Sequence, residues 1–192
     1  MGVAKLTDLN TVLPQSKYAR VERERRYLLQ DLPEGLTRAS PHLQITDNYI
    51  TGTRLRLRKV RDPQTNKWVV KFTQKFAPRS EDLSRTVITN TYLNPSEYEV
   101  LSVFEANKIR KNRYHFEFAG RIFSVDMFIG ELLGLFLAEV GFDTDEELEG
   151  FPLPPFAIAE VTNYETFTGG RLCHLSFEDI REEVKRSNLL PV

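Results

Sequence analysis

The chain has 192 residues, 41% of them hydrophobic and 28% charged, and its 26 Lys+Arg stand against 27 Asp+Glu. That balance suits one globular domain and excludes a basic nucleic-acid footprint over the molecule as a whole. Cys173 is the only cysteine, which excludes an intrachain disulfide and a cysteine-based zinc site and agrees with a cytoplasmic protein. Residues 1–17 read as a loosely ordered lead-in with no signal-peptide form and no myristoylation sequence, since Leu6 stands where Ser or Thr is needed. Residues 18–192 read as a single domain. The most apolar run, Leu132 to Ala138, is far shorter than the ~20 residues that cross a bilayer, so no membrane association is expected.

In chain order, the first strand is expected from about Tyr18 to Leu29, and period two sets Glu22, Glu24 and Arg26 on one face. A loop through Pro33, Gly35 and Pro41 leads to a long strand from Tyr49 to Val60, whose centre alternates Arg54, Arg56 and Arg58 with Leu55 and Leu57. Asp62-Pro63 and Asn66 mark a turn. The return strand, Trp68 to Lys75, sets Val69, Lys71, Thr73 and Lys75 opposite Trp68, Val70 and Phe72. A strand from Ser84 to Leu93 follows. Asn94, Pro95 and Glu97 supply a cap, a first-turn proline and a capping-box acid for a helix running to about Asn107. Strands at about 109–118 and 121–128 flank the turn Ala119-Gly120, and another runs from Leu135 to Phe142. A short acidic helix is expected over 143–149, capped by Asp143 and stopped by Gly150. A strand from Ala157 to Thr162 and a helix from Ser176 to Lys185, with Asp179 completing its capping box, end the chain.

Charged residues alternate with apolar ones on nearly every strand. A flat sheet would bury the apolar face and wet the charged one. A closed barrel would instead turn its charged faces inward around a polar lumen. The candidate lumen acids are Glu22, Glu24, Asp126, Glu139 and Glu160; the bases are Arg26, Arg54, Arg56, Lys71, Arg85, Lys111 and Arg113. Such a mixture suits a metal-bound polyphosphate. Guanidinium forks and ammonium groups hold phosphate oxygens, and carboxylates hold a divalent cation that bridges to them.

Seven segments in order resemble the CYTH domains of the triphosphate tunnel metalloenzyme superfamily. The family's Glu-x-Glu-x-Lys is matched by Glu22-Arg23-Glu24-Arg25-Arg26, its Arg-x-Arg strand by Arg54-Leu55-Arg56, and its strand-ending lysine by Val69-Val70-Lys71. Its Lys-x-Arg-Tyr is matched by Lys111-Asn112-Arg113-Tyr114, and its strand aspartate by Val125-Asp126. Leu137-Ala138-Glu139-Val140 and Glu160-Val161-Thr162 complete the order.

The resemblance implies an α+β fold: a closed eight-stranded antiparallel β-barrel with flanking helices, forming a tunnel. In it Glu22, Glu24, Asp126 and Glu139 would bind Mg²⁺ or Mn²⁺. Arg26, Arg54, Arg56, Lys71, Arg85, Lys111 and Arg113 would hold phosphoryl oxygens, and Glu24 or Glu139 would position the attacking water. The implied partner is a triphosphate-containing small molecule, inorganic triphosphate first, with no nucleic acid beyond the alternative of an RNA 5′-triphosphate end. Two rival readings are a class IV-like adenylate cyclase and a non-catalytic triphosphate or polyphosphate binder. The chain departs from the family pattern at three places. Arg26 replaces a lysine, Gly141 stands where a glutamate is usual, and the strand from Arg85 to Leu93 has no glutamates.

Overall fold

The structure, a computed structural model, describes residues 18–189. The lead-in expected at 1–17 lies outside the described residues. The described residues form β1 (Arg20–Leu29), β2 (Leu43–Ile50), β3 (Leu55–Asp62), β4 (Lys67–Phe76), β5 (Arg85–Leu93), α1 (Pro95–Leu101), β6 (Ala106–Phe118) and β7 (Arg121–Ile129). There follow β8 (Phe136–Phe142), α2 (Asp145–Gly150), β9 (Ala159–Glu160), α3 (Gly169–Leu172) and α4 (Phe177–Arg186).

Hydrogen-bonded neighbours run β5-β4-β3-β2-β6-β7-β8-β1, and β1 pairs back to β5, so eight antiparallel strands close on themselves. Closure removes the free edges that a flat sheet would leave. The seam is shared along β1: Arg20 to Arg23 pair with β5, and Tyr27 and Leu28 pair with the short β9.

Period two then sorts the side chains. The outward faces of β1, β6, β7 and β8 bring Tyr27, Leu29, Tyr114, Phe123, Val125 and Val140 into one buried cluster, covered by Leu36, Phe151 and Phe156. Phe123, 0% exposed, stands edge-on to Phe156 with ring centres 5.3 Å apart. A second cluster gathers Leu28, Ile109, Phe128 and Leu137 with Phe167 and Leu172 and with Ile180 and Val184 of α4. The first cluster fastens the outside of the barrel wall, whereas the second lies on the lumen-facing side of its strands, where Ile109, Phe128, Leu137, Phe167 and Leu172 border the interior cavity beside the charged side chains.

Four local expectations are corrected. The strand read over 49–60 is the end of β2 and most of β3, joined by a turn in which Gly52 adopts φ +71° and the Thr53 hydroxyl donates to the Ile50 carbonyl at 2.8 Å. The helix after Asn94 keeps its capping box but ends at Leu101, because β6 begins at Ala106 to pair with β2 and β7. The cap of α2 is Thr144, whose side chain accepts from the Glu147 amide, rather than Asp143. The strand expected over 157–162 shrinks to the two residues of β9 that meet β1.

No helix among the described residues is long and apolar enough to cross a membrane.

Candidate functional site

The barrel encloses a cavity of about 540 Å³. Nine cations and six carboxylates border it, an excess of three positive charges. The β1 register sends Glu22, Glu24 and Arg26 inward; β3 and β4 contribute Arg56, Arg58, Lys71 and Lys75; β6 to β8 contribute Lys111, Arg113, Asp126 and Glu139.

These charges fall into three groups. In the first, Asp47 of β2 is 1% exposed and accepts both Arg58 Nε at 2.6 Å and Arg58 Nη2 at 2.7 Å, with Arg56 Nε at 3.6 Å. In the second, Asp126 takes Lys111 Nζ at 2.5 Å and both arms of Arg113 at 2.7 Å. Arg113 reaches on to Glu139 at 3.1 Å, and Glu139 accepts Arg26 Nε at 3.0 Å. In the third, the ammonium of Lys75 donates to Glu22 at 3.0 Å and to Glu24 at 2.7 Å, and Arg20 Nη2 donates to the other oxygen of Glu22 at 2.7 Å.

Charge balance sets the protonation states. Burial pushes the Asp47 carboxyl up, but Arg58 and Arg56 outweigh it and hold the group well below the usual carboxylate range. The same contest leaves Asp126 low through Arg113 and Lys111, and Glu139 well below its ordinary value through Arg26 and Arg113. Burial also opposes ionisation of Glu22, where Lys75 and Arg20 together prevail and lower it. Burial depresses the Lys111 ammonium; Asp126 pulls the other way, while Arg113 and Arg58 add to the depression.

Three cations on one wall keep donors to spare. Arg54 and Lys71 form no ion pair with a carboxylate among the described residues; Arg54 lies 4.5 Å over the Phe76 ring and Lys71 5.3 Å over Tyr92. The Nε of Arg56 is buried and has no hydrogen-bond acceptor. A buried donor left unmade costs about 1–3 kcal/mol, which an oxyanion in the lumen would recover. This wall, made by β3, β4 and the residue before β3, thus carries hydrogen-bonding capacity that no carboxylate among the described residues takes up.

Of the residues singled out in the sequence, Glu22, Glu24, Arg26, Arg54, Arg56, Lys71, Lys111, Arg113, Asp126 and Glu139 all border the cavity. Arg85 does not. It lies on the opposite face of β5 from Thr86 and Ile88, and its guanidinium is held by Asp82, Asp145 and Glu149 at 2.8–2.9 Å. Glu160 is likewise outside the cavity and pairs with Arg25 at 3.3 Å. Five charged lumen residues lie outside that selection: Arg20, Asp47, Arg58, Lys75 and Glu165. Arg58 and Lys75 continue the alternation of Arg54-Arg56 and Lys71-Thr73 to the next position, a signal present in the sequence. Asp47 sits on β2, which was not read as a separate strand.

The resemblance to CYTH domains implies a divalent cation, and the side chains can be tested for it. Among the described residues no three acidic, histidine or cysteine side chains stand together as a ready metal cluster. One pair nevertheless fits. Glu22 and Glu24 already converge on the Lys75 ammonium, with Arg20 on the other oxygen of Glu22, and carboxylate oxygens are the donors that Mg²⁺ and Mn²⁺ prefer. Asp126 fits less well, since Lys111 and Arg113 take both of its oxygens.

No protein-family model matches this sequence, and no curated protein does. Two crystal structures of the protein NE1496 do match in fold. One, described as the inorganic triphosphatase NE1496, superposes at a TM-score of 0.53 with 22% identity, covering 79% of this chain and 93% of its own. The other reaches 0.55 with 23% identity over 81% of this chain and 99% of its own. At that identity the likeness is one of fold: the chain has the triphosphate tunnel fold that its motifs resemble.

Proposed function

We propose that this protein hydrolyses a triphosphate, inorganic triphosphate first, with Mg²⁺ or Mn²⁺ as cofactor. The observation that carries this reading is the enclosed lumen with three more cations than carboxylates, whose spare donors on β3 and β4 share the cavity with the acid pair of β1. A linear triphosphate is a compact polyanion, and it answers both halves of that arrangement. The neighbour described as an inorganic triphosphatase has the same fold and supports the choice of substrate class.

In this reading Arg54, Arg56 and Lys71 bind the phosphoryl oxygens. Lys111 and Arg113 do the same, aimed by Asp126, while Arg26 is aimed by Glu139. A divalent cation held by Glu22 and Glu24 would neutralise charge that develops on the phosphoryl oxygens. Between the two candidates for orienting water, Glu24 is the better placed. Both oxygens of Glu139 are occupied, one by Arg26 and one by Arg113, whereas Lys75 is the hydrogen-bond partner of Glu24 among the described residues. Glu139 then acts as an anchor for the two arginines.

The non-catalytic binder is the second reading, and Gly141 favours it. Gly141 lies opposite Glu24 in the β1–β8 register, where a carboxylate would have enlarged the acid cluster. One assay separates the two. Purified protein is incubated with tripolyphosphate and Mg²⁺ or Mn²⁺, and orthophosphate is measured. Metal-dependent release that is lost in the Glu22→Ala/Glu24→Ala variant is expected; tight tripolyphosphate binding with no release under any metal would overturn the hydrolase in favour of the binder.

A further inference from the structure

The acid pair of β1 is already occupied by a side chain of the same barrel. Lys75 stands at the end of β4, and β5 lies between β4 and β1. The ammonium still reaches both Glu22 and Glu24, past β5, which turns the uncharged Thr86, Ile88 and Asn90 to the lumen. Its four-carbon stem carries a compact point charge that can be repositioned more readily than the rigid fork of an arginine. The lysine is 28% exposed at its side chain and Glu24 29%, so this group is more open than the locked Asp126 group, where Asp126 is 2% exposed.

We propose that Lys75 is an exchangeable counter-ion: it neutralises Glu22 and Glu24 while the tunnel is empty, and it swings off them into the phosphate lumen when a divalent cation takes their charge. The inference rests on the proposed role of Glu22 and Glu24 as metal ligands. Its consequence follows from charge counting. Lys75 is the cation that both carboxylates share, Arg20 reaching Glu22 alone; a dication can take its place with twice its charge, and the displaced lysine then adds a positive charge to the wall that already carries Arg54, Arg56 and Lys71. Lys75 therefore competes with the metal when phosphate is absent, and helps the polyanion when metal is present. Metal and triphosphate reinforce one another through this one side chain, and by linkage the effect is reciprocal.

The test reads metal binding rather than turnover. Mn²⁺ alone is titrated into the wild-type protein, Lys75→Met and Lys75→Arg, and free Mn²⁺ is followed by electron paramagnetic resonance. With the competing charge removed, Lys75→Met is expected to bind Mn²⁺ at least about tenfold tighter than wild type, because a unit charge a few ångströms away is worth several kcal/mol at a partly screened site. Lys75→Arg, which keeps the charge, is expected to bind no tighter than wild type. Equal Mn²⁺ affinity in Lys75→Met and wild type would overturn the exchange while leaving the metal site standing. No Mn²⁺ binding by wild type would overturn both. Should Lys75→Met fail to fold, the lysines of the wild-type protein are dimethylated with ¹³C, and the Lys75 signal is assigned by its loss in Lys75→Arg. A shift of that signal on adding Mg²⁺ is expected, and an unmoved signal sinks the proposal.

Discussion

Arg85 and Lys71 show how little a residue's charge says about its task until its face is known. Both are basic strand residues of the same half of the barrel. Lys71 faces the lumen without a carboxylate partner among the described residues, whereas Arg85 is spent outside, tying β5 to Asp145 and Glu149 of α2. Arg23 of β1 reaches the same Asp145 oxygen at 2.8 Å, so Asp145 fastens α2 across the barrel seam. Replacing each in turn separates the roles. Lys71→Met should weaken tripolyphosphate binding roughly 10- to 100-fold, the value of a charge-assisted hydrogen bond. Arg85→Met should leave that affinity within about twofold and instead lower the melting temperature slightly, as expected for partly exposed ion pairs. Calorimetric titration and a thermal melt on both variants read the two effects, and a larger loss of affinity in Arg85→Met would refute the assignment of faces.

At the level of elements, the barrel depends on what packs against its strands. The loop before β8 passes so close to α4 that a Cβ on Gly134 would lie 2.7 Å from the ring of Phe177, and Gly134 itself adopts φ +109°. Both facts demand glycine: the first for space, the second because an L side chain is strained there. Phe177 in turn packs on the cluster that includes Leu135, Leu137 and Ile180. Gly134→Ala should therefore destabilise the fold by roughly 1–3 kcal/mol by loosening α4 from the barrel. Urea unfolding is the measurement, and a midpoint equal to wild type would show that α4 is not clamped by this contact. Gly141, by contrast, has its nearest neighbour, the Arg23 carbonyl, at 3.9 Å, so steric need does not explain its presence on β8.

For the whole molecule, a charged interior makes stability depend on pH with a definite sign. Asp47, Glu22, Asp126 and Glu139 all have native pKa values held below their ordinary ones by cations across the lumen. A carboxyl with a depressed native pKa contributes stability that is complete above its unfolded value. That contribution is lost as the pH falls toward the lower native value, because the unfolded chain then binds more protons. Unfolded carboxyls titrate near about 4. The urea midpoint is expected to hold steady from about pH 7 to about pH 5 and to drop steeply below about pH 4. A midpoint that stays flat to pH 3 would mean that the lumen pairs contribute nothing to folding.

The sequence by itself determined the chemistry of each strand face and most of the punctuation between strands. Alternation is a local property, so Glu22-x-Glu24-x-Arg26 or Lys111-x-Arg113 share a face wherever the strand lies. The capping boxes at Asn94 and Ser176 are equally local and stand where they were read. The missed turn at Gly52 is the exception, since an arginine-rich alternation ran up to it and masked the reversal. What only the tertiary structure decided is which charges meet. Arg26 finds Glu139 across 113 residues of chain and Lys75 finds Glu24 across 51, and no periodicity encodes such pairs. Closure of β1 on β5 turns the charged faces of seven strands toward one enclosed space. That closure makes the Glu-x-Glu-x-Arg strand part of a cavity lining rather than a wetted surface.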